Sequence, residues 1–148
     1  MGATAFVASF LTVLSAESHL TDPVINDPRT LREVEDAFAG YNRALNENDI
    51  EALNTYFYES PLTVRYGNAE NLYGHAEIAR YRSSVRHASM HVQRERTVIL
   101  TFGDRFATVS TLSRRRDSET VGRTTQTWVK FPEGWKIVAA HVSSIVDR

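Results

Sequence analysis

The strongest constraint on this chain is a change of period near Met90. Before it, apolar residues recur at helical spacing; after it, they follow the two-residue alternation of strands. His91 to Thr101, Arg105 to Arg114, Thr120 to Phe131 and Trp135 to Ser144 form four long extended stretches. Phe102-Gly103-Asp104, the segment around Asp117 to Glu119, and Pro132-Glu133-Gly134 separate them as turns. Strands joined by such short turns pair with their chain neighbours, so the second half predicts a four-stranded antiparallel meander. Thr97, Thr101, Thr108, Thr111, Thr124, Thr125 and Thr127 fit it, because β-branched side chains suit a pleated surface.

The first half reads as helices. Thr30 followed by Glu33 has the form of a capping box and predicts a helix from Leu31, with Val34, Ala37, Phe38, Tyr41, Ala44 and Leu45 on one face. Asn48 with Glu51 is a second such box, opening a shorter helix that turns Ile50, Leu53 and Phe57 inward. Pro61 ends that segment and releases a short extended stretch, Leu62 to Tyr66, expected at the edge of the sheet. Gly67 to Gly74 reads as a loop. His75 to about Val85 is a third helix, on which Arg80 and Arg82 are two apart, so at most one looks inward. Helices first and a long meander afterwards predict an α+β domain: three N-terminal helices packed on one face of a curved, mostly antiparallel sheet. The concave face then encloses a hollow beneath the first helix, a favoured place for a ligand.

Composition removes several classes of function. Seventeen Lys and Arg against 18 Asp and Glu leave a formal charge of -1, so there is no basic field for nucleic acid. No cysteine is present, which excludes disulfides, thiolate nucleophiles and cysteine metal sites, and suits a reducing, cytoplasmic location. The histidines are His19, His75, His87, His91 and His141; none forms a zinc pair within one helix, and His87 and His91 straddle the expected end of the third helix. Seven glycines never assemble into a phosphate loop or a dinucleotide fingerprint. No metal and no cofactor is expected. Residues 1–25 stand apart: Ala3 to Ala16 is apolar, lacks a preceding Lys or Arg, and is too short to span a bilayer. It is read as an extra helix packing on the domain or on a partner subunit, with a signal peptide or a poorly ordered extension as the alternatives; residues 26–148 are expected to form a single domain.

Several segments in order carry a resemblance. Val34 to Phe38 with Tyr41, then Asn48 to Leu53, resemble the start of a nuclear-transport-factor-two-like, cystatin-like cone. Thr63-Val64-Arg65-Tyr66-Gly67, Glu70 to Gly74, Gly122 to Trp128 and Trp135 to Ser143 are more specific. Together they resemble the AtzH-like family, which includes the oxalurate catabolism proteins. The resemblance implies breakdown of a small nitrogenous acid, beside an amidase as pathway partner. In the best-understood branch that reaction is hydrolysis of dicarboxyurea to allophanate with decarboxylation. It implies catalytic roles for a tyrosine of the first helix and an arginine of the first strand, which match Tyr41 and Arg65.

The residues admit that chemistry and leave alternatives open. Tyr41 is either a core tyrosine or a phenol facing the hollow, suited to proton donation. Arg65 either pairs with Glu70 or Glu77 at a sheet edge or presents its planar fork to a substrate carboxylate. Strict alternation puts His141 on one face with Trp135, Ile137, Ala139 and Ser143, either as an interface histidine or in the hollow. Gln126 supplies a neutral donor and acceptor and shares its face with Trp128. Asn71 and Tyr73 are placed to close the mouth. The expected substrate-binding set is Tyr66, Asn71, Tyr73, Gln126, Trp128 and His141. The favoured function is a metal-free amidohydrolase acting on a small carboxylate-bearing urea or amide. The alternatives are a non-catalytic acid-binding or accessory subunit of an amidase, and a small-molecule dehydratase or isomerase. A homodimer is expected, since a sheet covered on one face leaves the other for a second copy.

Overall fold

The structure, a computed structural model, describes residues 21–85, 92–115 and 119–146. The expectations for residues 1–20, for the turn at Asp117, and for His87 and His91 lie outside the described residues. Helix α1 (Pro28–Glu47) begins three residues before the capping box predicts. Asp27 is its N-cap: the carboxylate accepts from the Thr30 N–H at 2.9 Å and from the Thr30 hydroxyl at 3.0 Å. Pro28 occupies the first helical position, where a missing N–H leaves no bond unmade. The Thr30 N–H, chiefly, holds the Asp27 carboxyl below its usual range. Glu33 is thereby free to accept from Lys130 Nζ at 2.5 Å and from the Trp135 indole at 3.3 Å, which ties the helix to the last hairpin.

The second capping box gives way for a related reason. Asn48 has the left-handed conformation (φ 54°) that closes α1, and an N-cap needs extended backbone. Asp49 caps α2 (Ile50–Thr55) instead, accepting from the Ala52 N–H at 2.9 Å. Strand β1 (Val64–Tyr66), strand β2 (Asn71–Tyr73) and helix α3 (His75–Ser84) follow. The meander is then β3 (Val92–Phe102), β4 (Phe106–Arg115), β5 (Thr120–Phe131) and β6 (Gly134–Val146).

The six strands form one sheet in the order β2-β1-β6-β5-β4-β3. The meander is as expected, but the first strand is not at an edge. β1 runs parallel to β6, pairing Val64 with Ala139 and Tyr66 with His141. The edge belongs to β2, inside the segment expected to be a loop. Three residues are too few to display a period, so this hairpin is invisible to a pattern reading. The core lies between the helices and the inner face of the sheet: Val34 and Phe38 of α1, Phe57, Ile78 of α3, and Val109, Trp128 and Ile137 of the meander. Among the described residues no helix is long and apolar enough to cross a membrane.

Two bulges decide which way the strands face. On β6 the register steps from Ala139 opposite Thr127 to Ile137 opposite Trp128, so Val138 is an extra residue. Trp135 and Ile137 point inward before it, and Ala140 after it. His141 therefore goes to the outer face and is exposed, against the strict alternation that placed it with Ile137. On β3, Arg94 lies opposite Ser113 and Arg96 opposite Leu112, which makes Glu95 the extra residue. Ile99 and the buried Thr101 face inward beyond it, while Val98, Leu100 and Phe102 are exposed. Before it, the inward positions are Val92 and Arg94.

Candidate functional site

Between α1 and the inner face of the sheet lies a cavity of about 280 Å³. Its roof is one stripe of α1 (Phe38, Tyr41, Asn42 and Leu45). Its floor is polar, with Thr111, Ser113, Thr124 and Gln126 on β4 and β5. Arg65 and Asn68 close one side and Arg94 the other. Among the described residues no carboxylate lines it.

Tyr41 is held by rings. Tyr56 meets it edge-on at 5.9 Å, Trp128 edge-on at 6.2 Å, and Phe57 lies tilted at 6.4 Å. Such packing fixes a ring without using its hydroxyl. No hydrogen bond joins that hydroxyl to another described residue, and Tyr41 lines the cavity. Trp128 is fully buried below, and its indole N–H donates to Gln126 Oε1 at 3.2 Å. That bond turns the Gln126 oxygen toward the indole. The Gln126 amide nitrogen, on a side chain 1% exposed, is left with no partner among the described residues.

Arg65 realises both readings of it at once. It lines the cavity, and its Nη1 is hydrogen bonded to Glu70 Oε1 across the β1–β2 turn. Its guanidinium also lies 5.5 Å from the centre of the Tyr81 ring. Burial by itself would raise the Glu70 carboxyl, but the bond and charge of Arg65, helped by the Ala69 N–H and by Tyr81, hold it below its usual range. Gly67 allows this: a Cβ there would overlap the Glu70 carboxylate.

Arg94, Asn42 and Asn68 are among the cavity residues that escaped the sequence reading. Arg94 donates through Nη2 to Asn42 Oδ1 and lies 5.6 Å from the centre of the Phe38 ring. Burial lowers its pKa, and Tyr41 acts in the opposite direction. Asn42 carried a signal, being next to Tyr41 on the helix. Arg94 carried none, because only the bulge at Glu95 turns it inward. Asn68, in the hairpin turn, stands where Asn71 and Tyr73 were expected to guard the mouth. Arg82 is the inward member of its pair, 6% exposed and 4.4 Å from the centre of the Phe57 ring.

The structure thus brings together Tyr41, Arg65 and Gln126, with Trp128 beneath them. It does not bring in the others. Tyr66, Tyr73 and His141 cluster away from the cavity, with Tyr66 edge-on to Tyr73 at 6.0 Å and to His141 at 6.2 Å. Asn71 is exposed on the edge strand. Among the described residues no group of three His, Cys, Asp or Glu is placed to hold a metal ion.

Solved structures share this architecture. A protein of unknown function from the DUF3225 family of Pectobacterium atrosepticum is 45% identical, over 82% of this chain and 94% of its own, with a TM-score of 0.80. A cystatin-like fold protein from Burkholderia xenovorans is 44% identical, over 85% of this chain and 99% of its own, with a TM-score of 0.82. A nuclear transport factor 2-like superfamily protein from Salmonella enterica, 22% identical over 81% of this chain and 94% of its own, shares the fold with a TM-score of 0.67. No curated protein matches the sequence. The AtzH-like family model matches residues 23–148, and the chain belongs to the AtzH-like family.

Proposed function

We propose that this protein is an amidohydrolase for a small carboxylate-bearing urea or amide, of the dicarboxyurea or oxalurate kind. The observation that carries the reading is the meeting of Tyr41, Arg65 and Gln126 in one small cavity. A phenol with an uncommitted hydroxyl, a guanidinium and an amide N–H₂ are, respectively, a proton donor and two kinds of donor to developing negative charge. In the reaction a bond between nitrogen and a carboxyl or acyl carbon breaks. Water adds its oxygen to that carbon, and the nitrogen leaves with a proton delivered by Tyr41. Where the carbon is that of an N-carboxylate, it leaves either as bicarbonate by that addition or directly as carbon dioxide with no water added. A proton from the attacking water, or from solvent in the second case, restores the Tyr41 phenol. Arg65 stabilises the charge that gathers on the carboxyl oxygens as the bond opens, and Gln126 orients the neighbouring carbonyl.

Dehydration or isomerisation finds less support. That chemistry draws on a histidine–carboxylate pair, and His141 lies outside a cavity that no described carboxylate lines. The outer face of the sheet, with Val98, Leu100, Phe106, Tyr66 and Tyr73 exposed, supports a homodimer as part of this proposal. A monomeric mass by light scattering at micromolar concentration would remove it. Formation of carbon dioxide and allophanate from dicarboxyurea, and of oxalate and urea from oxalurate, tests the activity. Tyr41→Phe and Arg65→Ala are expected to lower kcat about 100-fold or more. Undiminished turnover in both variants refutes the roles, and substrate binding without any turnover in wild type favours an accessory binding subunit.

A further inference from the structure

We infer that Arg94 is the carboxylate anchor of the cavity, a specificity residue for the acid end of the ligand; this rests on the cavity being the site of a small carboxylate-bearing acid. Of the two guanidinium groups on the cavity wall, Arg65 already has a counter-ion. Its Nη1 is bonded to Glu70, and that pair is only 18% exposed on each side. Arg94 has none among the described residues. Its one side-chain hydrogen bond among them goes to the neutral oxygen of Asn42, and a ring, Phe38, lies beside it. Its chain neighbour Glu95 bonds to Arg114 Nε at 2.7 Å. A guanidinium partly removed from water without an anion is costly, and an anionic ligand offsets that cost directly.

The rest of the cavity agrees. A guanidinium has five N–H donors, and Asn42 takes one of them, which orients the planar fork and leaves the others for a carboxylate. Gln126, 1% exposed, adds an amide N–H₂ with no hydrogen-bond partner among the described residues, a second donor for a ligand. Among the described residues the lining brings no negative charge of its own. At about 280 Å³ the space suits an acid of a few heavy atoms. Arg94 and Arg65 stand on β3 and β1, which are separated by β6, β5 and β4, so they face the ligand from opposite ends. Arg94 holds the distal carboxylate, and Arg65 and Tyr41 attend the end that reacts.

The experiment is calorimetric titration of the full chain with three probes: oxalurate, malonate, and oxaluramide, which is oxalurate with its carboxylate replaced by a neutral amide. Arg94→Gln is expected to weaken oxalurate and malonate by about 10-fold to 100-fold and to leave oxaluramide within about 2-fold. Arg94→Lys, which keeps the charge but not the fork, is expected to fall between. Equal weakening of oxalurate and oxaluramide would mark a merely structural role and overturn the inference. So would unchanged oxalurate affinity in Arg94→Gln, or no acid binding to wild type at millimolar concentration. Turnover is followed in parallel. Binding of the acids that depends on Arg94, with no hydrolysis of any substrate, supports the anchor and sinks the amidohydrolase reading. Hydrolysis with an unchanged KM in Arg94→Gln does the reverse.

Discussion

A single methyl group tests how Tyr41 is held. Gly40 is buried on α1, next to Tyr41, and a Cβ built there would overlap the Tyr56 hydroxyl oxygen and lie 3.2 Å from its Cζ. Tyr56 has little room to retreat. Its ring stands edge-on to Tyr41 at 5.9 Å and close to Trp128 at 6.3 Å, and its carbonyl accepts from the Ile137 N–H at 2.7 Å. Glycine to alanine in a helix interior ordinarily stabilises by about 1 kcal/mol. Overpacking a tight contact costs about 1–3 kcal/mol. The sum is a net change for Gly40→Ala between about zero and a 2 kcal/mol loss, where helix propensity alone promises a gain. Tyr56→Phe removes the clashing oxygen, so the double variant recovers part of the gain, a coupling of about 1 kcal/mol. Urea unfolding of the four proteins, followed by tryptophan fluorescence, measures the cycle. A gain of about 1 kcal/mol from Gly40→Ala in both backgrounds refutes the reasoning. The displaced Tyr56 should also disturb Tyr41, so kcat for any substrate found should fall in Gly40→Ala and return in part in the double variant.

Asp27→Ala removes the α1 cap and should cost about 1 kcal/mol in the same assay; no loss would restore the Thr30–Glu33 capping box as the helix start. Glu70 sits below its ordinary value near 4.5 in the folded chain, so the unfolded chain is the first to take a proton as pH falls. Its contribution is therefore complete above about pH 4.5 and is lost as pH falls through the lower folded value. Glu70→Gln should cost roughly 1–3 kcal/mol near pH 7 and progressively less below about pH 4.5; a difference independent of pH would show that the Arg65–Glu70 pair adds nothing.

Much of the molecule was legible in the chain because it is set locally. The helical face from Val34 to Leu45 follows from spacing, and the meander follows from turn residues between alternating runs. Tyr41 and Gln126 were legible too, since each lies within a regular stretch whose face follows from its neighbours. The first capping box misled because Asp27, three residues upstream, offers a charged acceptor with proline behind it. The β1–β2 hairpin was hidden by its length, and the parallel pairing of β1 with β6 by the absence of any local mark for a contact between residues more than seventy positions apart.

What only the folded sheet decided is which residues enter the cavity from β3 and β6. Alternation predicts facing only while each strand advances in step with its partner, and one extra residue reverses every side chain beyond it. At Val138 that reversal carries His141 out to the face of Tyr66. At Glu95 it brings Arg94 in beside Asn42 and Phe38. Nothing in the residue types of these two strands announces a bulge, because its position is selected by how long, hydrogen-bonded strands fit around a packed helix. The chain settles its elements and their order; the curvature of the assembled sheet settles the charge inside its cavity.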